Sequence, residues 1–141
     1  MPVSTKLTEL ATKALPKVVS PKTHAIIDYS TAGAFLAAAA LLWRKNKRAA
    51  LASMICGDLI GSLIFLTDCP GGVWKKISFE THGKVDPGVA GLVASLPNLM
   101  GFTDKAESHL FQSMGIALAA VGGMTQYDEG SSNAETRRKA A

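Results

Sequence analysis

The chain has 141 residues, the length of one domain or of two fused half-domains. Its net charge is +4, but lysines and arginines lie at the ends of apolar stretches and in the tails rather than in a stripe mixed with aromatic residues, which argues against a nucleic-acid partner. Two cysteines are too few for a disulfide framework, and the first twenty residues lack the apolar core of a cleavable signal peptide.

Residues 1–20 predict a short basic amphipathic helix. Leu7, Leu10 and Leu15 would share one side of this helix, while the lysines lie elsewhere. Such a pattern is typical of a helix that lies on a membrane surface.

Four apolar segments follow, near residues 24–43, 48–68, 82–102 and 108–127. Each is about twenty residues long, which is the length a helix needs to cross a bilayer core. The segments are rich in alanine and lack the alternation of a strand, so they favour helix. We therefore predict an all-α fold, a bundle of four transmembrane helices. The alternative is a soluble four-helix bundle with an alanine-rich core, but its helices would need polar faces that these segments largely lack.

Small residues recur at four-residue spacing in two of these segments. Such positions let helix backbones approach closely in a bilayer. They motivate a leading hypothesis of a non-enzymatic structural or accessory protein in a membrane assembly, whose partners are the lipid bilayer and either another membrane protein or a second copy of this chain. The predicted helix-packing residues are Gly57, Gly61, Gly115, Ala119 and Gly123.

The same polar pattern occurs twice. "THAIIDYSTAG" begins at Thr23, and "THGKVDPGVAG" begins at Thr81, 58 positions later. Further matches, from Ser53 to Ser113 and from Asp68 to Asp128, are 60 positions apart. The chain therefore predicts two tandem helical hairpins, residues 21–69 and 81–128, which enter the membrane in the same direction. A polar tail, residues 129–141, is predicted to be disordered.

This repeat would bring ionisable side chains together at one membrane interface. A histidine and an aspartate four residues apart share one face of a helix, and Thr23 and Thr81 are the predicted helix N-caps. Asp58 would lie about 15 Å deeper, near the middle of the second segment. The candidate ligands at the shared interface are His24, Asp28, His82, Asp86, Asp68 and Asp128.

Four interpretations of these side chains stay open. They are helix starts whose histidines and aspartates satisfy one another, a site for one or two divalent first-row metal ions, a histidine pair that holds a haem, or a path for ions or protons that involves Asp58. The residues do not decide whether the chain is an enzyme. A metal-dependent membrane enzyme with this His/Asp site is the alternative to the accessory protein.

The stretch from Leu66 to Phe102 resembles the SPW-repeat-like proteins, small bacterial integral membrane proteins without an assigned activity. The matching residues are Thr67-Asp68, Gly71-Gly72, His82, Asp86 and Gly101-Phe102. The Ser-Pro-Trp signature itself is replaced here by Ser95-Leu96-Pro97-Asn98. The resemblance implies a multi-helix protein of the bacterial cytoplasmic membrane, and it implies no reaction.

Overall fold

A computed structural model describes residues 15–141, except for the side chains of residues 129–134. The described part is mostly helical, which confirms the predicted all-α class. Its elements are α1 (Pro21–Leu42), α2 (Lys47–Leu66), β1 (Thr67–Asp68), β2 (Ile77–Ser78), α3 (Phe79–Leu99), α4 (Lys105–Gly123) and α5 (Tyr127–Ala140). Most of the amphipathic helix predicted for residues 1–20 lies outside the described residues.

Serine side chains, rather than the predicted threonines, cap the first helix of each hairpin. The Oγ of Ser20 accepts from the backbone N–H of Thr23, and that of Ser78 accepts from the N–H of Thr81. Thr23 and Thr81 are therefore N3 residues, and their prediction as N-caps was wrong by one turn. The serine lies in extended backbone, where its side chain can reach a free N–H of the first turn.

The second helix of each hairpin also begins at matching positions. Asn46 caps α2 and Asp104 caps α4, each through a side-chain oxygen that accepts two backbone N–H groups. These caps are 58 positions apart, as are the two serine caps and the two histidines. The hairpins thus correspond at a constant offset of 58 rather than shifting to the predicted 60.

The end of each hairpin forms a backbone bridge with the start of the other hairpin. α1 packs mainly against α2, and α3 packs mainly against α4. Thr67, after α2, pairs in parallel with Ile77, before α3, and Thr125, after α4, pairs in parallel with Val19, before α1. Each hairpin end is therefore bridged to the start of the other hairpin, as an approximate twofold axis requires. The origin of this arrangement in a duplication stays a prediction.

Glycines set the closest helix approaches inside each hairpin. A Cβ at Gly57 would lie 2.8 Å from the Leu36 side chain, and a Cβ at Gly115 would lie 2.7 Å from the Ala90 carbonyl oxygen. Both glycines pack against the other helix of their own hairpin, so neither is available to contact a second protein. Of the other predicted packing residues, Gly61 faces Ala32 and Gly123 is buried, while Ala119 is exposed.

Two of the described helices, α1 and α2, are long and apolar enough to cross a membrane by length and composition. Buried core helices of soluble proteins can have the same composition, but only 33% and 44% of the most apolar windows of α1 and α2 are buried. More than half of the residues in each window are therefore not buried among the described residues. Crossing by all four long helices stays a prediction.

The tail predicted to be disordered contains α5. Glu135 and Lys139 form an i,i+4 ion pair with Oε1 and Nζ 2.6 Å apart, and basic residues in the last turn complement the helix dipole. Arg137 and Arg138 also approach the Asp68 carboxylate, each at 3.9 Å. The Asp68 contacts join segments that are distant in sequence, and such contacts cannot be read from composition.

We predict that Gly115→Ala destabilises the protein more than Gly57→Ala. At Gly115 the new methyl group would lie 2.7 Å from the backbone of Ala90 and Ala94. At Gly57 its two nearest atoms belong to the Leu36 side chain, and the Ala32 carbonyl oxygen is 3.0 Å away. The expected cost at Gly115 is about 1–3 kcal/mol in the free energy of unfolding, measured by thermal or denaturant unfolding in detergent micelles. Gly91→Ala is the control, since nothing lies within 4 Å of its Cβ position. Equal losses at the three positions would contradict the packing described.

Candidate metal centre

The four side chains of the repeated His-x-x-x-Asp pattern meet at the junction of the hairpins. The Nε2 atoms of His24 and His82 are 3.2 Å apart. Asp28 Oδ2 lies 3.3 Å from the Nε2 of His24 and 3.2 Å from that of His82. Asp86 oxygens lie 3.4 Å and 3.0 Å from the same two nitrogens. Both imidazoles and Asp28 are buried, and Asp86 is partly buried.

Threonines fix the orientation of both imidazoles. His24 Nδ1 lies 2.8 Å from Thr125 Oγ1, and His82 Nδ1 lies 2.8 Å from Thr67 Oγ1. Each threonine hydroxyl donates its one hydrogen to the carbonyl four residues earlier, at 2.6 Å, because a carbonyl can only accept. The threonine oxygen must then accept from Nδ1–H. Both histidines are thereby held with Nδ1 protonated and Nε2 directed at the other histidine.

Tyr127 adds a donor on one side of the cluster. Its hydroxyl donates to Asp86 Oδ2 at 2.6 Å. Burial, and then the neighbouring Asp86 carboxylate, raise the pKa of Tyr127, so the phenol keeps its proton and remains a donor. The position 58 residues earlier is Cys69, a buried thiol. The two halves of the cluster therefore differ, and only Asp86 has a phenol partner.

The electrostatics of the cluster call for a cation. With Nδ1 protonated, a neutral imidazole has only a lone pair at Nε2. Two such lone pairs then face each other and two carboxylates in a buried space. A positive charge at the centre, either a metal ion or protons on Nε2, is what offsets this repulsion, because buried charges are stable only when paired or bound to a metal.

The spacing of the donor atoms fits a small divalent metal ion. His24, His82 and Asp86 each offer a ligand atom, and these atoms lie within 4.8 Å of one another. Zinc–ligand bonds of about 2.0–2.1 Å place neighbouring ligand atoms of a tetrahedron about 3.3 Å apart, and the distances between the two histidines and from them to Asp86 are 3.0–3.4 Å. Asp28 lies 3.2–3.3 Å from both Nε2 atoms but does not belong to this three-residue group. Metal-binding histidines typically donate their other ring N–H to an oxygen that fixes the ring, and the bonds from Nδ1 to Thr125 and Thr67 are of this kind.

Two cavities adjoin the cluster. The first, of about 10 Å³, is lined by His24, Asp28 and Asp86, and this is space for one ion or one water. The second, of about 500 Å³, lies between α3 and α4 and reaches Asp86 and Tyr127. The contacting Nε2 atoms, with a carboxylate against both, do not have the space between them that a porphyrin plane needs. The geometry therefore disfavours the haem interpretation.

The remaining predicted site residues lie elsewhere. Asp68 pairs with Lys75, whose Nζ is 3.3 Å from its carboxylate, and it faces the basic end of α5. Asp128 is exposed on α5, and Asp58 is exposed on the outer face of α2. The structure therefore brings together four of the six predicted ligands. Sequence reasoning placed Asp68 and Asp128 at the right end of the hairpins, but the direction of a side chain at a helix end depends on tertiary contacts.

Sequence reasoning missed three residues of the site: Thr67, Thr125 and Tyr127. A usable signal was present for the threonines, because they are separated by the same 58 positions as the histidines. The assumed shift to an offset of 60 hid that match. Tyr127 has no counterpart in the first hairpin, so the repeat contained no signal for it.

No protein-family model matches this chain, and no curated protein or solved structure matches it either. The resemblance to the SPW-repeat-like proteins therefore stays a prediction.

We predict that Thr67→Val destabilises the protein by about 1–3 kcal/mol, because it leaves the buried His82 Nδ1–H without an acceptor. ¹⁵N chemical shifts of the imidazoles should show that His82 loses its fixed tautomer while His24 keeps it. Thr125→Val should produce the reciprocal result. Thr67→Ser keeps the hydroxyl and is the matched control. If Thr67→Val changes neither the stability nor the His82 tautomer, the proposed role of the threonine is wrong.

Proposed function

We propose that this chain is an integral membrane protein that binds one divalent transition-metal ion between its two hairpins. The observation that carries this proposal is the pair of buried Nε2 atoms, 3.2 Å apart, which threonine bonds direct at each other and at the carboxylates of Asp28 and Asp86. A cation at this point neutralises two carboxylates that would otherwise repel each other in a buried space.

The donor set favours zinc or a similar ion. Imidazole nitrogens suit zinc, iron, copper and nickel, whereas calcium and magnesium take mainly oxygen ligands. His24 and Asp28 belong to the first hairpin, and His82 and Asp86 belong to the second. A bound ion would therefore join the hairpins and stabilise the fold, because the complete ligand set exists only when both hairpins are in place.

The apolar surface supports a location in a membrane. Large apolar side chains are exposed along the outer faces of all four long helices, and examples are Leu41 at 76%, Ile55 at 50%, Leu92 at 37% and Ile116 at 69%. Large exposed apolar patches are rare on soluble monomers. A lipid environment removes the free-energy cost of exposing these apolar side chains to water. The bacterial cytoplasmic membrane is the location that the resemblance implies, and it remains part of this proposal.

A structural role for the ion is favoured by the small cavity at the cluster, since about 10 Å³ holds an ion but no substrate. This agrees with a non-enzymatic protein. A metal-dependent membrane enzyme is the second candidate, and the observation that favours it is the cavity of about 500 Å³ that reaches Asp86. A partner in a membrane assembly stays a prediction, since Gly57 and Gly115 pack inside the monomer.

We predict one metal ion per chain when the protein is purified without chelators. His24→Ala and His82→Ala should each remove it, since each deletes a nitrogen ligand. Elemental analysis gives the stoichiometry, and replacement by cobalt(II) should give the intense visible bands of a tetrahedral site. Metal binding should also raise the melting temperature of the unchanged protein.

His109→Ala is the control for metal binding, because His109 is exposed on α4 away from the cluster. It should keep the full metal content. A metal-free unchanged protein that also fails to take up zinc or cobalt would refute the metal proposal. Equal binding by the unchanged protein and the His24→Ala/His82→Ala double variant would place the ion elsewhere.

We also predict that the chain remains in the membrane fraction after washing with alkaline carbonate and is released only by detergent. α1 and α2 are long and apolar enough to cross a membrane, and more than half of the residues in their most apolar windows are not buried, which supports insertion rather than peripheral binding. Release by carbonate would contradict the membrane location and leave the metal site to be judged on its own.

A further inference from the structure

A second polar site lies outside the metal centre, on the outer face of the first hairpin. Asp58 lines a groove of about 580 Å³ between α1 and α2. The residue is eleven positions after the start of α2 and eight before its end, so it lies about 12–16 Å from either end of that helix. Among the described residues, no lysine, arginine or histidine side chain pairs with its carboxylate.

The groove combines this carboxylate with aromatic side chains. Phe65 is seven residues after Asp58, so both lie on one face of α2, about 10 Å apart along its axis. Phe65 packs edge-on against Trp74, with ring centroids 5.6 Å apart. Tyr29, from α1, also lines the groove and donates its hydroxyl to the carbonyl of Gly71. The connection between the hairpins therefore holds the aromatic wall in place.

The second hairpin lacks this chemistry. The position that corresponds to Asp58 is Ile116, which is 69% exposed. The positions that correspond to Tyr29 and Phe65 are Pro87 and Gly123. The second hairpin thus forms the same helix with an aliphatic residue at this position, so the hairpin fold does not need a carboxylate there. The carboxylate and the aromatic wall occur together only in the first hairpin, which indicates a role beyond packing.

We propose that this groove binds a hydrophobic organic cation. A carboxylate near the middle of an apolar helix is costly beside lipid chains, and ionisable groups at such depth are candidate functional residues. A cation with apolar or aromatic substituents removes that cost by charge pairing, and its substituents contact Phe65 and Trp74, since aromatic faces attract cations. The volume of the groove is that of a typical small-molecule site. Gly33 lines the groove, and the space next to it is free, because no atom lies within 4 Å of its Cβ position.

The test measures equilibrium binding of radiolabelled tetraphenylphosphonium to the full chain in nanodiscs of zwitterionic lipid, with protein-free nanodiscs as the blank. We expect saturable binding of one cation per chain. Asp58→Asn should weaken it about tenfold or more, because it removes the charge partner, and Asp58→Glu should retain it. Asp128→Asn is the matched control for charge, since Asp128 is exposed on α5 away from the groove.

Two further measurements separate charge from shape. Tetraphenylborate has the same shape and the opposite charge, and it should neither bind saturably nor compete. Gly33→Leu should block the groove while keeping Asp58, and it should abolish binding without changing the metal content. Absence of saturable binding to the unchanged chain would overturn the proposal, as would equal affinity for Asp58→Asn. Loss of self-association in Asp58→Asn, without cation binding by the unchanged chain, would overturn it in favour of an interface between copies.

Discussion

The reciprocal bond between a histidine of one hairpin and a threonine of the other is the contact on which the rest of the structure depends. His24 reaches Thr125, and His82 reaches Thr67. Each bond satisfies a buried imidazole N–H and fixes the direction of the opposite nitrogen. The two hairpins can dock in few other ways, because a displaced hairpin would leave buried polar groups unpaired. The parallel bridges at Ile77 and Val19 continue the same exchange in the backbone.

This docking brings together the side chains of the candidate metal centre and sets the tautomers of its histidines. A threonine that already donates to its own helix can only accept from the imidazole, so the tautomer is set by the local helix geometry. The two Nε2 atoms then meet on the approximate twofold axis, with one aspartate from each hairpin beside them. An ion bound at this shared site would couple its binding to the assembly of the fold.

The two hairpins differ at a few positions that break the approximate twofold symmetry. Tyr127 stands where the first hairpin has Cys69, and its hydroxyl holds Asp86 at the edge of a cavity. Gly83 makes room for this tyrosine ring, since a Cβ there would lie 2.6 Å from it, whereas the corresponding residue of the first hairpin is Ala25. The first hairpin instead has the Asp58 groove with its aromatic wall. Each half thus adds a different feature to a shared framework.

The sequence by itself determined the helical class, the approximate segments and the two His-x-x-x-Asp patterns, because composition and a spacing of four act locally along a helix. It also placed both patterns at one end of the hairpins. Only the tertiary structure decided that His24 and His82 face each other, that Asp68 turns to Lys75, and that Thr67, Thr125 and Tyr127 complete the site. The reason is physical: a helix fixes the neighbours of a side chain within one or two turns, whereas contacts across the hairpins depend on how two separate surfaces dock.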